Sequence, residues 1–211
     1  MSLKSTQAWM DKIGGLVKTD EEIAAMPRPK KPGKAESEIF AAAGYPLRSY
    51  RDLERISGAS ERGARMILPQ AIGDGLSIIL GPTGRGKTGI ATWLARERLR
   101  ADKSVGKYLT AYGLLSKVKT CWSLRQDPDP FITIWKTARF LVIDEIQTRS
   151  DTVAENAVLE DIINARHNNL LPTVLIGNLT IDAAQETLGP RIMDRAKESG
   201  GILDCSWGNY R

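Results

Sequence analysis

Leu76-Ser77-Ile78-Ile79-Leu80-Gly81-Pro82-Thr83-Gly84-Arg85-Gly86-Lys87-Thr88 decides the fold. Its first five residues make a short apolar run of the kind a buried strand needs. Its last eight fit G-x-x-x-x-G-K-[ST] without a mismatch. Residues 87–100 read as an amphipathic helix, so the motif has the strand–loop–helix context its chemistry requires. Glycines let the backbone curl so that its N–H groups face a triphosphate. The helix N-terminus adds the positive end of its dipole. Lys87 is placed to reach the β- and γ-phosphates and Thr88 to ligate Mg²⁺. Gly81, Pro82, Thr83, Gly84, Arg85, Gly86, Lys87 and Thr88 are therefore the expected nucleotide-binding residues.

Working outward, four more short runs read as strands: VGKYLTA (105–111), FLVID (140–144), TVLIG (173–177) and GILDC (201–205). FLVID shows no polar alternation, as expected of a strand covered on both faces in a parallel sheet. Helical patterns fall at 36–43, 47–56, 59–67, 114–124, 152–168 and 182–198. The DPDP sequence at 127–130 reads as a turn that stops the fifth of these patterns, counting 87–100 in order. Strands alternating with helices predict an α/β fold with a mostly parallel five-stranded sheet. Upstream, Trp9, Met10, Ile13, Leu16 and Val17 recur at helical spacing. Residues 1–26 thus read as a helical partner-binding segment, weakened in the middle by Gly14-Gly15. PRPKKPGK (27–34) is a basic linker whose prolines forbid a helix. Residues 35–211 form the compact domain.

Two carboxylates end the third strand, Asp144 and Glu145, at the edge where α/β proteins bind ligands. Asp144 is expected to hold Mg²⁺ through water, and Glu145 to polarise the attacking water. Asn178, after the fourth strand, suits a hydrogen bond to that water or to the γ-phosphate; a helix cap is its bland alternative. Arg191 and Arg195 stand four apart on one helix face. A planar guanidinium there suits the γ-phosphate of a neighbouring subunit, and a salt bridge to Asp194 or Glu186 is the equal rival.

Of 211 residues, 42% are hydrophobic and 26% charged, ordinary for a globular protein. No run of 18 apolar residues exists, and the first fifteen residues hold no signal-like apolar run. The expected location is the cytoplasm, without membrane contact. With Cys121, Cys205 and the single His167 as its only Cys and His, the chain lacks the four ligands of a structural zinc site. The thiols are expected to be packed and reduced, and His167 to lie at a surface helix end. The net charge of +5 is uneven. Residues 85–125 carry ten lysines and arginines against Glu97 and Asp102, a local +8. Clustered cations beside a nucleotide site favour nucleic acid as a partner; a solvated helix face is the alternative.

FLVIDEI, IGNLT, LGPRIMDR and the final WGNYR (207–211) together resemble the DnaC/DnaI helicase loaders and the related IstB transposition ATPases, over about residues 45–211. The spacing of RIMDR to a terminal W-x-x-Y-R is the specific part. The resemblance implies an AAA+ P-loop core that binds and hydrolyses ATP with Mg²⁺. Gly81 to Thr88 matches Walker A, Asp144-Glu145 Walker B, and Asn178 sensor 1. Arg191 and Arg195 lie in the arginine-finger region, with Arg191 preferred, and Arg211 matches a sensor 2-like arginine. The helix after the second strand (Thr110 to Thr120) is implied to hold single-stranded DNA, through Tyr112, Lys117 and Lys119. The zinc-binding cysteines of DnaI-like loaders are missing, and the end at Arg211 leaves little or no C-terminal lid.

The resulting expectation is an AAA+ ATPase that self-assembles, as an oligomer or spiral, on single-stranded DNA and loads a replicative, DnaB-like helicase. Two alternatives stand beside it. One is an IstB-like helper that binds duplex DNA for a transposase. The other is a nucleotide-switched adaptor with little hydrolysis.

Overall fold

A computed structural model describes residues 34–55, 61–65, 75–148 and 152–207. The expectations for the N-terminal helices around Trp9 to Val17, for the linker up to Gly33 and for Arg211 lie outside the described residues. The chain enters through two short helices, α1 (Lys34–Ala42) and α2 (Leu47–Arg51). Residues 61–65 are helical as well. Then follow β1 (Leu76–Leu80), α3 (Lys87–Asp102), β2 (Lys107–Thr110), α4 (Ala111–Ser123), α5 (Asp129–Thr137) and β3 (Leu141–Asp144). The described fold closes with α6 (Val153–Asn168), β4 (Thr173–Gly177), α7 (Ile181–Leu188), α8 (Pro190–Ser199) and β5 (Ile202–Asp204).

All four strand pairings are parallel, in the order β2-β3-β4-β1-β5. The period of two along each strand splits its side chains between two cores. Ile79, Val142, Val174, Ile176 and Leu203 face one side, packed with Phe40, Tyr50, Ala64, Ile90 and Leu94. Ile78, Leu80, Leu141, Ile143 and Leu175 face the other, packed with Leu114, Val118, Ile132, Leu159, Ile162 and Ile192. Thus α1, α2 and α3 cover one face, and α4 to α8 the other. Because β1, β3 and β4 are covered twice, each is buried along its whole length. Each buried Ile, Leu or Val there contributes about 1.5–3 kcal/mol of transfer free energy.

The main departure from the sequence reading is α5. α4 does end at Ser123, just before DPDP, but DPDP is also the entry to a further helix. Pro130 occupies the first turn, where its missing N–H costs nothing, and Asp127 Oδ1 accepts the Asp129 N–H at 2.9 Å. The α4 helix also begins earlier than expected. Thr110, the last residue of β2, is its N-cap and accepts the Gly113 N–H at 3.1 Å. As expected, Cys121 and Cys205 are free, buried thiols, and His167 lies in the last turn of α6.

Arg166 of α6 is wholly buried. Its guanidinium donates to the carbonyls of Trp135, Ala138 and Pro172, each at 2.7 Å, and to Thr173 Oγ1 at 2.8 Å. It thereby joins α5 and its C-cap, α6 and the start of β4. Replacing Arg166 by Met keeps the length and removes every donor. The expected loss is about 3 kcal/mol in urea unfolding. An unchanged midpoint would mean that burying the guanidinium costs as much as its bonds return.

Candidate nucleotide site

The loop between β1 and α3 leaves the carboxyl edge of the sheet. Gly81, Gly84 and Gly86 all have positive φ, at 130°, 84° and 82°, which is the left-handed backbone that favours glycine. Gly81 is constrained further, since a Cβ there would lie 2.9 Å from the Cys205 carbonyl oxygen. Its N–H donates to the Leu179 carbonyl at 3.1 Å, one residue beyond Asn178. The loop is thus held between the ends of β4 and β5, and Gly86 opens α3 as its N-cap.

Lys87 is buried, and its Nζ donates to the carbonyls of Gly81 and Pro82, both at 2.7 Å. Burial pushes its ammonium below the ordinary lysine value, and Cys205 and Asp144 pull the other way. Burial raises the neighbouring Cys205 thiol to about 12, so it stays protonated under the loop. Thr88 Oγ1 donates to Asp144 Oδ2 at 2.7 Å. This bond spans β4, because β1 and β3 are not neighbours in the sheet. The Glu145 N–H donates to Asp144 Oδ1 at 2.7 Å. The donor set near Thr88 is a hydroxyl and a carboxylate, hard oxygens that fit Mg²⁺.

Glu145 follows with φ +56°, a conformation costing a non-glycine residue about 1 kcal/mol or more. The N–H and hydroxyl of Thr148 both donate to its carbonyl, at 2.9 and 2.8 Å, and hold the turn. Asp144 is 5% exposed and Glu145 is exposed, so adjacent carboxylates meet opposite environments.

Asn178 is exposed and its N–H donates to Gln147 Oε1 at 3.0 Å. This ties the end of β4 to the turn after Glu145. Arg191 and Arg195 part company. Arg191 is exposed in the first turn of α8 and, among the described residues, enters no ion pair. Arg195 donates to Asn164 Oδ1 of α6. Neither takes the salt bridge to Asp194 or Glu186; Asp194 pairs with Lys197 at 3.6 Å.

The +8 window does not form one surface. Arg96 and Arg98 are buried in α3, with Arg98 bonded to Asp102 and over the Phe140 ring. The α4 residues Tyr112, Lys117 and Lys119 are exposed on the opposite face of the sheet. Lys119 Nζ lies 2.5 Å from Oε1 of Glu155, a buried residue of α6.

Two contacts to the site escaped the sequence reading. Tyr108 of β2 donates its hydroxyl to Asp144 Oδ2 at 2.7 Å. Trp207 Nε1 donates to the Arg85 carbonyl at 3.2 Å, so the segment after β5 touches the phosphate loop. The W-x-x-Y-R ending was the available signal for Trp207; nothing in KYLT marked Tyr108.

This loop, sheet order and carboxylate pair define an AAA+ P-loop nucleotide-binding fold. The sequence model of the IstB-like ATP binding protein family matches residues 74–204, and the chain belongs to that family. ATP is thus the nucleotide class the site serves. The replicative helicase loader DnaC of Escherichia coli (strain K12) is 26% identical over 136 residues, covering 64% of this chain and 55% of that protein. An uncharacterized protein of the same strain, YdaV, is 27% identical over 132 residues, 62% and 53% of the two chains. The chain spans about half the length of these curated relatives. Among solved structures, the DnaC helicase loader superposes with a TM-score of 0.61 at 17% identity, over 70% of this chain and 91% of that one. The initiator DnaA bound to AMPPCP and single-stranded DNA also gives 0.61 at 17% identity, over 75% and 50%. At such identities the likeness is one of fold. Among the described residues no helix is long and apolar enough to cross a membrane.

Replacing Lys87 by Ala removes the ammonium beneath the loop. Fluorescent ATP should then bind roughly a hundredfold more weakly, matching the loss of about 3 kcal/mol for a charge-assisted contact. Retained affinity would separate the loop from nucleotide binding.

Proposed function

We propose that the chain is an ATP-hydrolysing helicase loader. It binds ATP with Mg²⁺ at Gly81 to Thr88, assembles with copies of itself, and holds single-stranded DNA on α4 while residues 1–26 grip a replicative helicase. The observation that carries the reading is the Thr88–Asp144 hydrogen bond, which brings the loop and the carboxylate pair together at one sheet edge.

In this reading Lys87 binds the β- and γ-phosphates, and Thr88 with Asp144 holds Mg²⁺. That ion supplies charge neutralisation for the transferring phosphoryl group. Glu145 takes the proton of the attacking water, and Asn178 orients that water. The exposure of Arg191 supports it as the guanidinium offered to a neighbouring copy, whereas Arg195 is occupied by Asn164. Arg211 completes the site as a sensor. The similarity to DnaC supports the loading role, and the DnaA complex with single-stranded DNA supports the choice of nucleic acid. Tyr112, 65% exposed, offers a ring for base stacking, and Lys117 and Lys119 offer phosphate contacts. The family match to IstB-like proteins favours duplex DNA and a transposase as the second reading.

Glu145→Gln should lower ATP turnover by about a hundredfold while ATP binding persists. Slow turnover insensitive to this change would favour a nucleotide-switched adaptor. Fluorescence anisotropy with labelled single strand and matched duplex, under ATP, ADP or no nucleotide, tests the DNA reading. ATP-dependent preference for the single strand is expected, and Lys117→Ala should flatten its salt dependence by about one phosphate contact. ATP-dependent duplex binding would establish the transposition-helper reading instead.

A further inference from the structure

Asp144 Oδ2 accepts two hydroxyls, not one. Thr88 Oγ1 reaches it from α3 and Tyr108 OH from β2, both at 2.7 Å. In the register of β2 on β3, Tyr108 stands opposite Val142 and Thr110 opposite Asp144. Residues two apart on a strand share a face, so Tyr108 lies on the Asp144 side, and the length of its phenol closes the diagonal. With the Glu145 N–H on Oδ1, three donors from three directions fix the carboxylate plane.

Tyr108 is itself held firmly. Its backbone N–H donates to the Ala43 carbonyl at 2.9 Å. Its ring packs against Tyr45 at 5.3 Å between centroids, and Tyr45 in turn donates its hydroxyl to the Val105 carbonyl at 2.9 Å. Burial, and then the Asp144 charge, raise the Tyr108 phenol far above its ordinary value, so it remains a donor.

We propose that Tyr108 is a positioning residue for the magnesium site: its hydroxyl orients the Asp144 carboxylate without touching nucleotide. Partners of this kind typically change metal affinity by 10–100-fold when removed. The inference rests on the reading of Thr88 and Asp144 as the magnesium-holding pair.

The test uses the full chain and Tyr108→Phe, which keeps the ring, its packing on Tyr45 and the backbone bond to Ala43. Binding of a fluorescent ATP analogue is titrated with MgCl₂ and, separately, measured in EDTA. Mn²⁺ binding in the presence of the same analogue is followed by electron paramagnetic resonance. Tyr45→Phe serves as a control, because it removes a hydroxyl from the same ring cluster but none from Asp144. The expected result is a roughly tenfold higher Mg²⁺ midpoint and weaker Mn²⁺ binding in Tyr108→Phe, with affinity in EDTA as in the wild type. Tyr45→Phe should leave the Mg²⁺ midpoint in place. Superimposable Mg²⁺ curves for Tyr108→Phe and wild type would overturn the inference. Equal loss of affinity with and without Mg²⁺ would also overturn it, by making the hydroxyl a general structural element. A wild type without any Mg²⁺ dependence would instead bring down the magnesium reading itself.

Discussion

The Asp144 carboxylate ends β3 in a setting that is almost closed to water, and its burial has to be offset by donors. It finds them in Thr88, Tyr108 and the Glu145 N–H. Those three belong to α3, β2 and the turn after β3. The requirement therefore does more than satisfy one side chain. It sets α3 across β4 from the strand that carries the acid, and with α3 it sets the phosphate loop. The loop's other supports act from below, through the Leu179 carbonyl and the close approach of Cys205 to Gly81. Between these constraints the glycine-rich backbone has one way to run.

Glu145 shows what the same arrangement does one residue later. The chain leaves the covered edge through a left-handed residue and at once enters a 3₁₀ turn, Ile146–Thr148. Strain of this size persists only where neighbouring bonds hold it, and here the bonds are those of Thr148. The outcome is a pair of adjacent carboxylates with separate environments, one closed and triply bonded, one open to water. Environments of that kind assign different chemical tasks to identical groups. The Gln147 bond to the Asn178 backbone extends the same turn to the end of β4.

Much of this was legible in the sequence because it is local. An apolar run followed by a glycine-rich loop states both the strand and the reason for the loop. β1, β3 and β4 were readable for the same reason, since double burial removes polar alternation. What was missed depends on distance in the chain. Asp127 and Pro130 read only as a stop after α4, whereas they also build the start of α5. Tyr108 and Asp144 are thirty-six positions apart, and only the sheet register makes them neighbours. The basic window misled in the opposite way. Adjacent in sequence, its cations separate onto two faces of the sheet, two arginines are buried, and Lys119 meets the buried Glu155. Arg166 offered no signal at all, because three of its four partners are backbone carbonyls, and any sequence carries those.

The short strand β2 joins two parts of the molecule that the sequence treats separately. Tyr108 reaches the Asp144 carboxylate from it, and two residues later Thr110 caps α4, the helix with the exposed Tyr112 and Lys117. At its far end α4 is tied to α6 through Lys119 and Glu155. Its N-terminal link, β2, is four residues long and pairs with β3 along its whole length. β2 therefore contacts both the Asp144 carboxylate and the root of α4. The helix proposed to hold DNA is thus rooted two residues from a side chain bonded to Asp144.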